Sequence, residues 1–310
     1  MSQPSHAVAV DIGGTKIAVA VVLPSGELLA ETTLPTESGR GFASGLLRIC
    51  DAITRVTERA GVSGSERAGI GIGCTGPVDP LRGTIDNPYT LPGWEGADIV
   101  GGLRDAFACP VVLENDADAA LVGECWKGAG RGFDPVVMLT FGTGVGGAAL
   151  VGGRILRGVK GAHPELGHVV ADPAGPPCYC GASGCLEVLA SGTALGQAGG
   201  EAGLGDARQL LARAAAGEAA AVRIRARALA AVTQATFTVL YALAPERIVL
   251  GGGMMDEHYQ PFAAAVGDAI ARATMLPGAR VSVARAELGN RAGLVGAARL
   301  VLVAPTGASR

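Results

Sequence analysis

Three cysteines and a histidine lie close together in the sequence, in a pattern that suits a metal ion. His168 is followed by Cys178, Cys180 and Cys185, which gives the spacing H-x9-C-x-C-x4-C. Three thiolates and one imidazole are a common ligand set for tetrahedral zinc, and four protein ligands leave the metal no open position. The spacing therefore predicts a structural zinc site. The alternative is three unpaired cysteines that lie near a histidine by chance.

A short acidic segment follows an apolar, β-prone run. Glu114-Asn115-Asp116-Ala117-Asp118 ends the predicted strand Val111 to Glu114 and opens a predicted helix, Ala117 to Trp126. A carboxylate at a strand end can accept a proton from a substrate hydroxyl, and a neighbouring amide can orient that hydroxyl. Asp and Asn are also common helix caps. The residues alone leave both interpretations open, a general base or a cap.

Two glycine-rich turns each join a pair of predicted strands. The first is Asp11-Ile-Gly-Gly-Thr-Lys16, and the second is Gly142-Thr-Gly144. Backbone N–H groups in such turns can bind phosphate oxygens, although most glycine turns only reverse the chain. Neither turn has the Walker spacing, and neither leads into a helix as a dinucleotide-binding motif does. Their equivalent positions indicate an internal repeat and favour phosphate binding.

Length and composition limit the classes of protein to consider. The chain has 310 residues, of which 49% are hydrophobic and 17% charged, which favours about two folded domains and excludes disorder. A net charge of −3 provides no basic excess for nucleic acid. The longest apolar run, Ala228 to Ala244, is too short to span a bilayer and is predicted to be a buried helix. The sequence thus predicts a cytoplasmic protein that binds neither nucleic acid nor membrane.

Periodic patterns predict an α/β fold in two parts. Residues 1–116 are predicted to form an N-terminal α/β domain, and residues 117–291 a C-terminal α/β domain with a zinc-binding loop at 163–190. A last helix, 292–304, is predicted to pack back on the first domain. The predicted helices are Phe42 to Arg59, Gly96 to Phe107, the stretch Ala207 to Ala244 and the last helix. The predicted strands are Val8 to Val10, Ile17 to Leu23, Leu28 to Thr33, Gly69 to Cys74, Val111 to Glu114, Val136 to Phe141, Val145 to Val151 and Arg247 to Leu250.

Taken together, the motifs resemble the ROK family (repressors, open reading frames and sugar kinases). The resemblance covers nearly the whole chain, and the cysteine segment is its most specific part. That family has a duplicated ribonuclease-H-like, actin-type fold with two α/β domains around a cleft, which agrees with the repeat of the glycine turns. The matching motifs are Asp11-Ile-Gly-Gly-Thr-Lys16, Glu114-Asn-Asp116, Phe141-Gly-Thr-Gly-Val-Gly-Gly147, Glu165-Leu-Gly-His168 and Cys178-Tyr-Cys-Gly-Ala-Ser-Gly-Cys-Leu-Glu187.

The resemblance implies a role for individual residues. Asp116 would be the catalytic base, and His168 would serve zinc with one ring nitrogen and the sugar with the other. The implied sugar-binding residues are Gly76, Thr90, Asn115, Asp116, Glu165, His168 and Glu187. ATP would bind with Mg²⁺ near Asp11, and the implied nucleotide-binding residues are Asp11, Gly13, Gly14, Thr15, Lys16, Gly142, Thr143, Gly144, Gly146 and Gly252. The implied ligands of the structural Zn²⁺ are His168, Cys178, Cys180 and Cys185.

The activity implied is that of an ATP-dependent hexose kinase, assembled as a homodimer or homotetramer. The family's commonest activity favours glucose, phosphorylated at O6. One segment departs from the usual motif: Gly161-Ala-His163-Pro164-Glu165 is a form associated partly with fructokinase-like members, so fructokinase and N-acetylmannosamine kinase are alternatives. We expect His163 to shape this loop. A sugar-sensing transcriptional regulator is a remoter alternative, because the first glycine turn begins too early to leave room for a helix-turn-helix.

Overall fold

The computed structural model describes residues 6–276 and 280–303. The described residues divide into two compact units. The first unit contains the chain up to Arg131, the segment 157–163 and the chain from Asn290 onward. The second contains residues 132–156 and 164–289. The end of the predicted last helix, residue 304, lies outside the described residues.

Both units contain strands and helices, as the periodic patterns predict. The strands are β1 (His6–Ile12), β2 (Lys16–Val22), β3 (Leu28–Pro35), β4 (Arg67–Cys74), β5 (Val78–Asp79), β6 (Thr84–Ile85), β7 (Ala97–Asp98), β8 (Val111–Asn115), β9 (Val136–Phe141), β10 (Val145–Val151), β11 (Arg154–Ile155), β12 (Arg247–Gly251) and β13 (Ser282–Arg285). The helices are α1 (Phe42–Ala60), α2 (Ile99–Phe107), α3 (Asp116–Lys127), α4 (Leu186–Ala190), α5 (Gly192–Glu201), α6 (Ala207–Ala215), α7 (Ala219–Leu243), α8 (Met255–Arg272) and α9 (Ala292–Leu302).

The first unit is built on a five-stranded sheet with the order β3-β2-β1-β4-β8. β1, β2 and β3 are antiparallel neighbours, whereas β4 and β8 run parallel to β1. Successive side chains of a strand point to opposite faces, so Val8 and Val10 pack in the core with α1 and α2, while Ala7 and Ala9 pack against α9. The parallel strands bring the carboxyl ends of β1, β4 and β8 to one edge of the sheet.

The second unit has a sheet of the same design, with the order β11-β10-β9-β12-β13. β9 pairs antiparallel with β10 and parallel with β12, as β1 does with β2 and β4. Val137, Leu139 and Phe141 of β9 pack in a core with α4, α7 and α8. The shared strand order and directions confirm the predicted internal repeat.

The division between the units differs from the predicted one. The sequence placed it after residue 116, but the structure groups residues 117–131 with the first unit. The reason is the close packing of α3 on α9, where a Cβ atom on Gly123 would overlap the backbone oxygen of Ala292. The segment 157–163 also joins the first unit, although the predicted C-terminal domain includes it.

Close backbone contact between α3 and α9 gives a test of the fold. A Cβ atom on Gly296 would overlap the backbone oxygen of Ala119, and overpacking of this kind typically costs about 1–3 kcal/mol. We therefore expect Gly296→Ala to lower the free energy of unfolding and the urea midpoint. The control is Gly267→Ala in α8, where nothing lies within 4 Å of the added methyl group, and which should stabilise by about 0.5–1 kcal/mol. A Gly296→Ala variant as stable as the wild type would contradict this account.

Residues 207–244, predicted as one helical stretch, form two helices with a break between them. Gly217 in the break has a φ of 86°, a conformation that glycine adopts readily and other residues do not. The second helix, α7, is long and apolar enough to cross a membrane by length and composition alone. It is instead a core helix of the second unit, because its buried face packs on α8 and the Thr233 hydroxyl donates to the Ala265 carbonyl oxygen at 3.0 Å.

Candidate active site

The first glycine turn is held in a fixed shape by hydrogen bonds. The Gly13 amide donates to the Lys16 carbonyl oxygen at 3.0 Å, and the Thr36 hydroxyl donates to the Gly13 carbonyl oxygen at 2.6 Å. Thr15 and Lys16 are exposed at the tip. A Cβ atom on Gly14 would lie only 3.1 Å from Cβ of Thr90. The turn and the predicted sugar contact Thr90 are therefore neighbours.

Thr90 is itself positioned by a buried amide that the sequence analysis missed. Asn87 accepts a hydrogen bond from the Thr90 backbone amide at 3.0 Å, and its own amide group donates to the Thr90 hydroxyl at 2.7 Å. It also donates to the Thr75 carbonyl oxygen at 3.1 Å. Asn87 is fully buried. The loop that carries Thr90 is thus tied to the end of β4.

Asn115 and Asp116 lie at the junction of β8 and α3. Asn115 is buried and caps α3, since its side-chain oxygen accepts from the Ala117 amide at 2.9 Å. Asp116 accepts from the same amide at 2.8 Å through one carboxylate oxygen. Gly76 faces this pair, because a Cβ atom there would lie 2.8 Å from the Asn115 amide nitrogen. The structure therefore brings the three predicted residues Gly76, Asn115 and Asp116 together, and shows that Asn115 is also a helix cap.

Asp11 and Asp116 approach each other across Gly73 of β4. A Cβ atom on Gly73 would lie 3.7 Å from a carboxylate oxygen of Asp11 and 3.8 Å from Cα of Asp116. Burial, and next the charge of Asp116, raise the pKa of Asp11 from 3.8 to about 7. Two carboxylates, one near the end of β1 and one just after β8, form a site that favours a cation, and Asp11 begins the motif of the first glycine turn.

The second glycine turn is also held in shape by hydrogen bonds. The Gly142 amide donates to the Gly144 carbonyl oxygen at 2.9 Å, and the Gly142 carbonyl oxygen accepts from the Gly192 amide of α5 at 2.7 Å. The Thr143 carbonyl oxygen accepts from the Thr193 hydroxyl at 2.8 Å. Gly146 follows in β10, paired with Thr140. The first turn of α5, a helix that the sequence analysis did not predict, thus holds this turn.

Gly252 lies next to the second turn. It follows β12 with a φ of 88°, and a Cβ atom there would overlap the backbone of Phe141, the residue before the turn. Only glycine suits both the positive φ and the close approach. The structure therefore brings Gly252 together with Gly142 and its neighbours, the predicted nucleotide-binding residues of this unit.

The predicted metal ligands form one cluster. The ligand atoms of His168, Cys178, Cys180 and Cys185 all lie within 4.8 Å of one another. Nδ1 of His168 is 3.4 Å from Sγ of Cys178, and Sγ of Cys180 is 3.5 Å from Sγ of Cys185. A tetrahedral zinc ion with bonds of about 2.0–2.3 Å requires ligand separations of this order. The donor set and its spacing therefore fit zinc.

Tyr179, between two of the cysteines, joins two predicted sugar-binding residues. Its hydroxyl lies 3.1 Å from Nε2 of His168 and donates to Glu187 at 2.8 Å. Burial, followed by the bond to Glu187, raises its pKa. The other Glu187 oxygen accepts from the Val145 amide, at 2.9 Å. Tyr179 was not predicted from the sequence, although its position between two ligand cysteines could have indicated it.

Glu165 is the remaining predicted sugar-binding residue of the second unit. It is exposed, directly before the single turn Leu166–His168, and its carbonyl oxygen accepts from the His168 amide at 3.0 Å. Gly167 packs against β10, since a Cβ atom there would overlap the Val145 carbonyl oxygen. This contact fixes the loop that carries both Glu165 and His168.

Comparison with known proteins identifies the family. The model of the ROK family matches residues 7–304. The chain belongs to the ROK family. It is 35% identical to a glucokinase from Thermotoga maritima over 80% of this chain and 81% of that protein. It is 34% identical to an N-acetylmannosamine kinase from Yersinia pestis over 94% of this chain and 96% of that one.

Solved ROK structures share the fold. A ROK hexokinase from Thermus thermophilus is 37% identical, with a TM-score of 0.85 over 94% of this chain and 96% of that one. A ROK family glucokinase from Streptomyces griseus, solved in complex with glucose and AMPPNP, is 30% identical, with a TM-score of 0.77 over 97% of this chain and 100% of that one. The predicted duplicated, actin-type fold is thereby confirmed.

Proposed function

We propose that this ROK protein is an ATP-dependent hexose kinase that transfers the γ-phosphoryl group of ATP to O6 of glucose. The observation that carries the proposal is the edge of the first sheet, where Asp116 lies beside Asn115 and approaches Asp11. A base, a hydroxyl-orienting amide and a carboxylate suited to a cation are the groups that phosphoryl transfer to an alcohol requires. The ROK glucokinase solved with glucose and AMPPNP supports the same activity.

In this proposal Asp116 is the base. One of its oxygens accepts from the Ala117 amide at 2.8 Å, which fixes the carboxylate, and the other oxygen takes the proton from the sugar hydroxyl. The sugar oxygen then forms a bond to the γ-phosphorus as the bond from that phosphorus to the β–γ bridging oxygen breaks, and ADP leaves. Asn115 donates to the reacting sugar through its amide group. Catalysis of this kind consists mainly of positioning and charge stabilisation.

We assign the two glycine turns to the nucleotide. In this proposal the phosphate groups lie against the turns Gly13 to Lys16 and Gly142 to Gly146, and Gly252 lies near the adenosine. Asp11 would hold Mg²⁺, since carboxylate oxygen is the protein ligand that Mg²⁺ prefers and a cation would offset both the burial and the neighbouring Asp116 charge that raise the pKa of Asp11. Magnesium, when bound, neutralises charge on the phosphates. The assignment is supported by the hydrogen bonds within each turn, which hold Gly13 and Gly14 in the first turn, and Gly142 and Gly144 in the second, in a fixed shape.

The remaining sugar contacts are assigned to Gly76 and Thr90 in the first unit and to Glu165, His168 and Glu187 in the second. The Tyr179 hydroxyl supports the assignment of His168 and Glu187, because it shows that this pair binds a hydroxyl group at 3.1 and 2.8 Å. Zinc would be held by His168, Cys178, Cys180 and Cys185 and would fix the orientation of the His168 ring. Nδ1 of His168 faces the sulfur atoms, and Nε2 faces the Tyr179 hydroxyl, whose place a sugar hydroxyl would take.

Location and assembly follow from the same proposal. A kinase of free hexoses that uses ATP works in the cytoplasm, where both substrates are found, and we expect a homodimer or homotetramer. The proposal includes no membrane partner and no nucleic-acid partner. The net charge of −3 supports the second part, because it provides no basic excess for nucleic acid.

A sugar panel tests the proposed substrate. We expect a coupled ADP-release assay to give a higher kcat/KM for glucose than for fructose, mannose or N-acetylmannosamine, and NMR of the product to place the phosphate on O6. The physical reason is that a sugar which leaves a buried polar partner unpaired loses about 1–3 kcal/mol per partner. A higher kcat/KM for N-acetylmannosamine or fructose would replace the glucokinase assignment by that kinase activity. An absence of ADP release with every sugar would overturn the kinase proposal.

A further inference from the structure

A buried charge cluster surrounds the junction that carries the proposed base. The Arg157 guanidinium forms ion pairs with Glu114 through one terminal nitrogen and with Asp118 through the other. Nδ1 of His163 lies 2.7 Å from the same Asp118 oxygen. The Asp118 side chain is completely buried, and those of Glu114 and His163 are each 12% exposed. We refer to Glu114, Asp118, Arg157 and His163 as the junction cluster.

The two acids of the cluster flank the proposed catalytic pair. Glu114 precedes Asn115 in β8, and Asp118 follows Asp116 in the first turn of α3. A single guanidinium thus connects the strand and the helix on either side of Asn115 and Asp116. Because it holds both flanks, it restricts the backbone path between them, on which the direction of the Asp116 carboxylate depends.

The cations come from a separate part of the chain. Arg157 and His163 begin and end the segment 157–163, which belongs to the first unit although the residues before and after it belong to the second. They lie 39 and 45 residues from Asp118. The backbone hydrogen bonds of β8 go to β4, and the Asn115 side chain caps α3, so neither Arg157 nor His163 takes part in the pairing of β8 or in the cap of α3. The cluster therefore adds a side-chain restraint to a junction that strand pairing and a helix cap also hold.

Stability alone is a weak explanation for such a cluster. Buried ion pairs often contribute little net stability relative to apolar residues of similar volume, because desolvation of the charges offsets their attraction. Fixed geometry is a different benefit, because misplacing a catalytic group by about 1 Å can cost about 10²-fold in rate. The location of the cluster around Asp116 favours this second role.

We propose that Arg157 and His163 are positioning residues, which act through Glu114 and Asp118 to keep the Asp116 carboxylate aligned for proton transfer. The inference rests on the proposed kinase function. It predicts that loosening the cluster lowers kcat more than it raises KM, since the groups that bind the sugar remain in place while the base loses its alignment.

The test uses substitutions at His163, measured with the full chain, glucose and ATP. His163→Leu removes the hydrogen bond to Asp118, and we expect kcat to fall about 10- to 100-fold with KM for glucose changed less than about threefold. His163→Asn keeps a donor near the Nδ1 position and should restore kcat to within about threefold of the wild type. The control is Asp105→Asn, an exposed carboxylate of α2, which should leave both constants unchanged.

A double-mutant cycle identifies the route of the effect. If His163 acts through Asp118, the double variant His163→Leu/Asp118→Asn should have a kcat close to that of the more impaired single variant. Arg157→Lys keeps a positive charge but loses the two terminal nitrogens of the guanidinium that contact Glu114 and Asp118. It provides an independent measurement should His163→Leu fail to fold. We expect it to lower kcat about 10-fold or more with KM nearly constant.

The outcomes separate this inference from the proposed function. Wild-type turnover combined with unchanged kcat in His163→Leu and Arg157→Lys would overturn the positioning role and leave the kinase assignment intact. Equal losses of kcat in His163→Leu and His163→Asn would also overturn it. So would a loss of kcat in the double variant that equals the product of the losses in the two single variants. An absence of wild-type turnover with every sugar would overturn both proposals.

Discussion

Replacing Asp116 with asparagine is expected to lower kcat by about 10² to 10⁴-fold while sugar binding is largely kept. Asparagine has the size of aspartate and can still accept from the Ala117 amide through its side-chain oxygen, so the start of α3 should be preserved. Its amide group, however, cannot take a proton from the sugar hydroxyl. The loss should therefore fall on the chemical step.

The measurement combines kcat from ADP release with the dissociation constant for glucose from calorimetry. Asp118 is an acidic residue only two positions away in the sequence, which makes it the nearest candidate for a control. The structure excludes that choice, since Asp118 is fully buried and bonded to Arg157 and His163. Asp105→Asn, on the exposed face of α2, is the suitable control. A kcat within about threefold of the wild type in Asp116→Asn would remove Asp116 from the role of base.

The sequence was most informative where a local pattern determines a local structure. The two strand-turn-strand units around Gly13 and Gly142 are both hairpins, and the following parallel strands complete two sheets of the same order. Alternating apolar residues and glycine turns depend only on near neighbours, so they could be recognised without tertiary contacts. The ligand cluster of His168 and the cysteines is local in the same sense, because all four residues lie in one short loop.

The predictions were less accurate where the structure depends on contacts between residues far apart in the sequence, or on the conformation of a single glycine. The division after residue 116 was wrong because α3 packs on α9, through glycines more than 170 residues apart in the chain. The helical stretch 207–244 is interrupted at Gly217, whose neighbours are mostly alanines with strong helix propensity. Asn87 and Arg157 were missed for a similar reason, since an amide or guanidinium acquires its role only from the groups that the fold places around it.

The second large effect concerns the cysteine cluster: Cys180→Ser should abolish the zinc content and weaken glucose binding about 10- to 100-fold, equivalent to about 1–3 kcal/mol. We expect the purified wild-type protein to contain one zinc per chain by elemental analysis. A serine hydroxyl is a much poorer zinc ligand than a thiolate, and Cys180 is the exposed member of the cluster, so its replacement leaves the surrounding core intact.

Sugar affinity depends on the metal through two residues. His168 has Nδ1 at 3.4 Å from Cys178, so a bound metal would fix the ring and direct Nε2 toward a hydroxyl. Glu187 comes two residues after Cys185, in the first turn of α4, so its orientation depends on the same loop. Without zinc, both side chains gain freedom that sugar binding must then restrict, which weakens the affinity.

Cys50→Ser is the matched control, since Cys50 is a half-buried free cysteine of α1, far in sequence from the cluster. It should keep one zinc per chain and the wild-type glucose affinity. Substitution of cobalt for zinc gives a second readout, because tetrahedral cobalt bound to three thiolates has intense visible absorption that Cys180→Ser should diminish. Full activity of an enzyme shown to be free of metal without chelation would refute the structural zinc site. Zinc loss in Cys180→Ser with unchanged glucose affinity would instead separate the metal from the sugar site and leave His168 as a ligand of zinc alone.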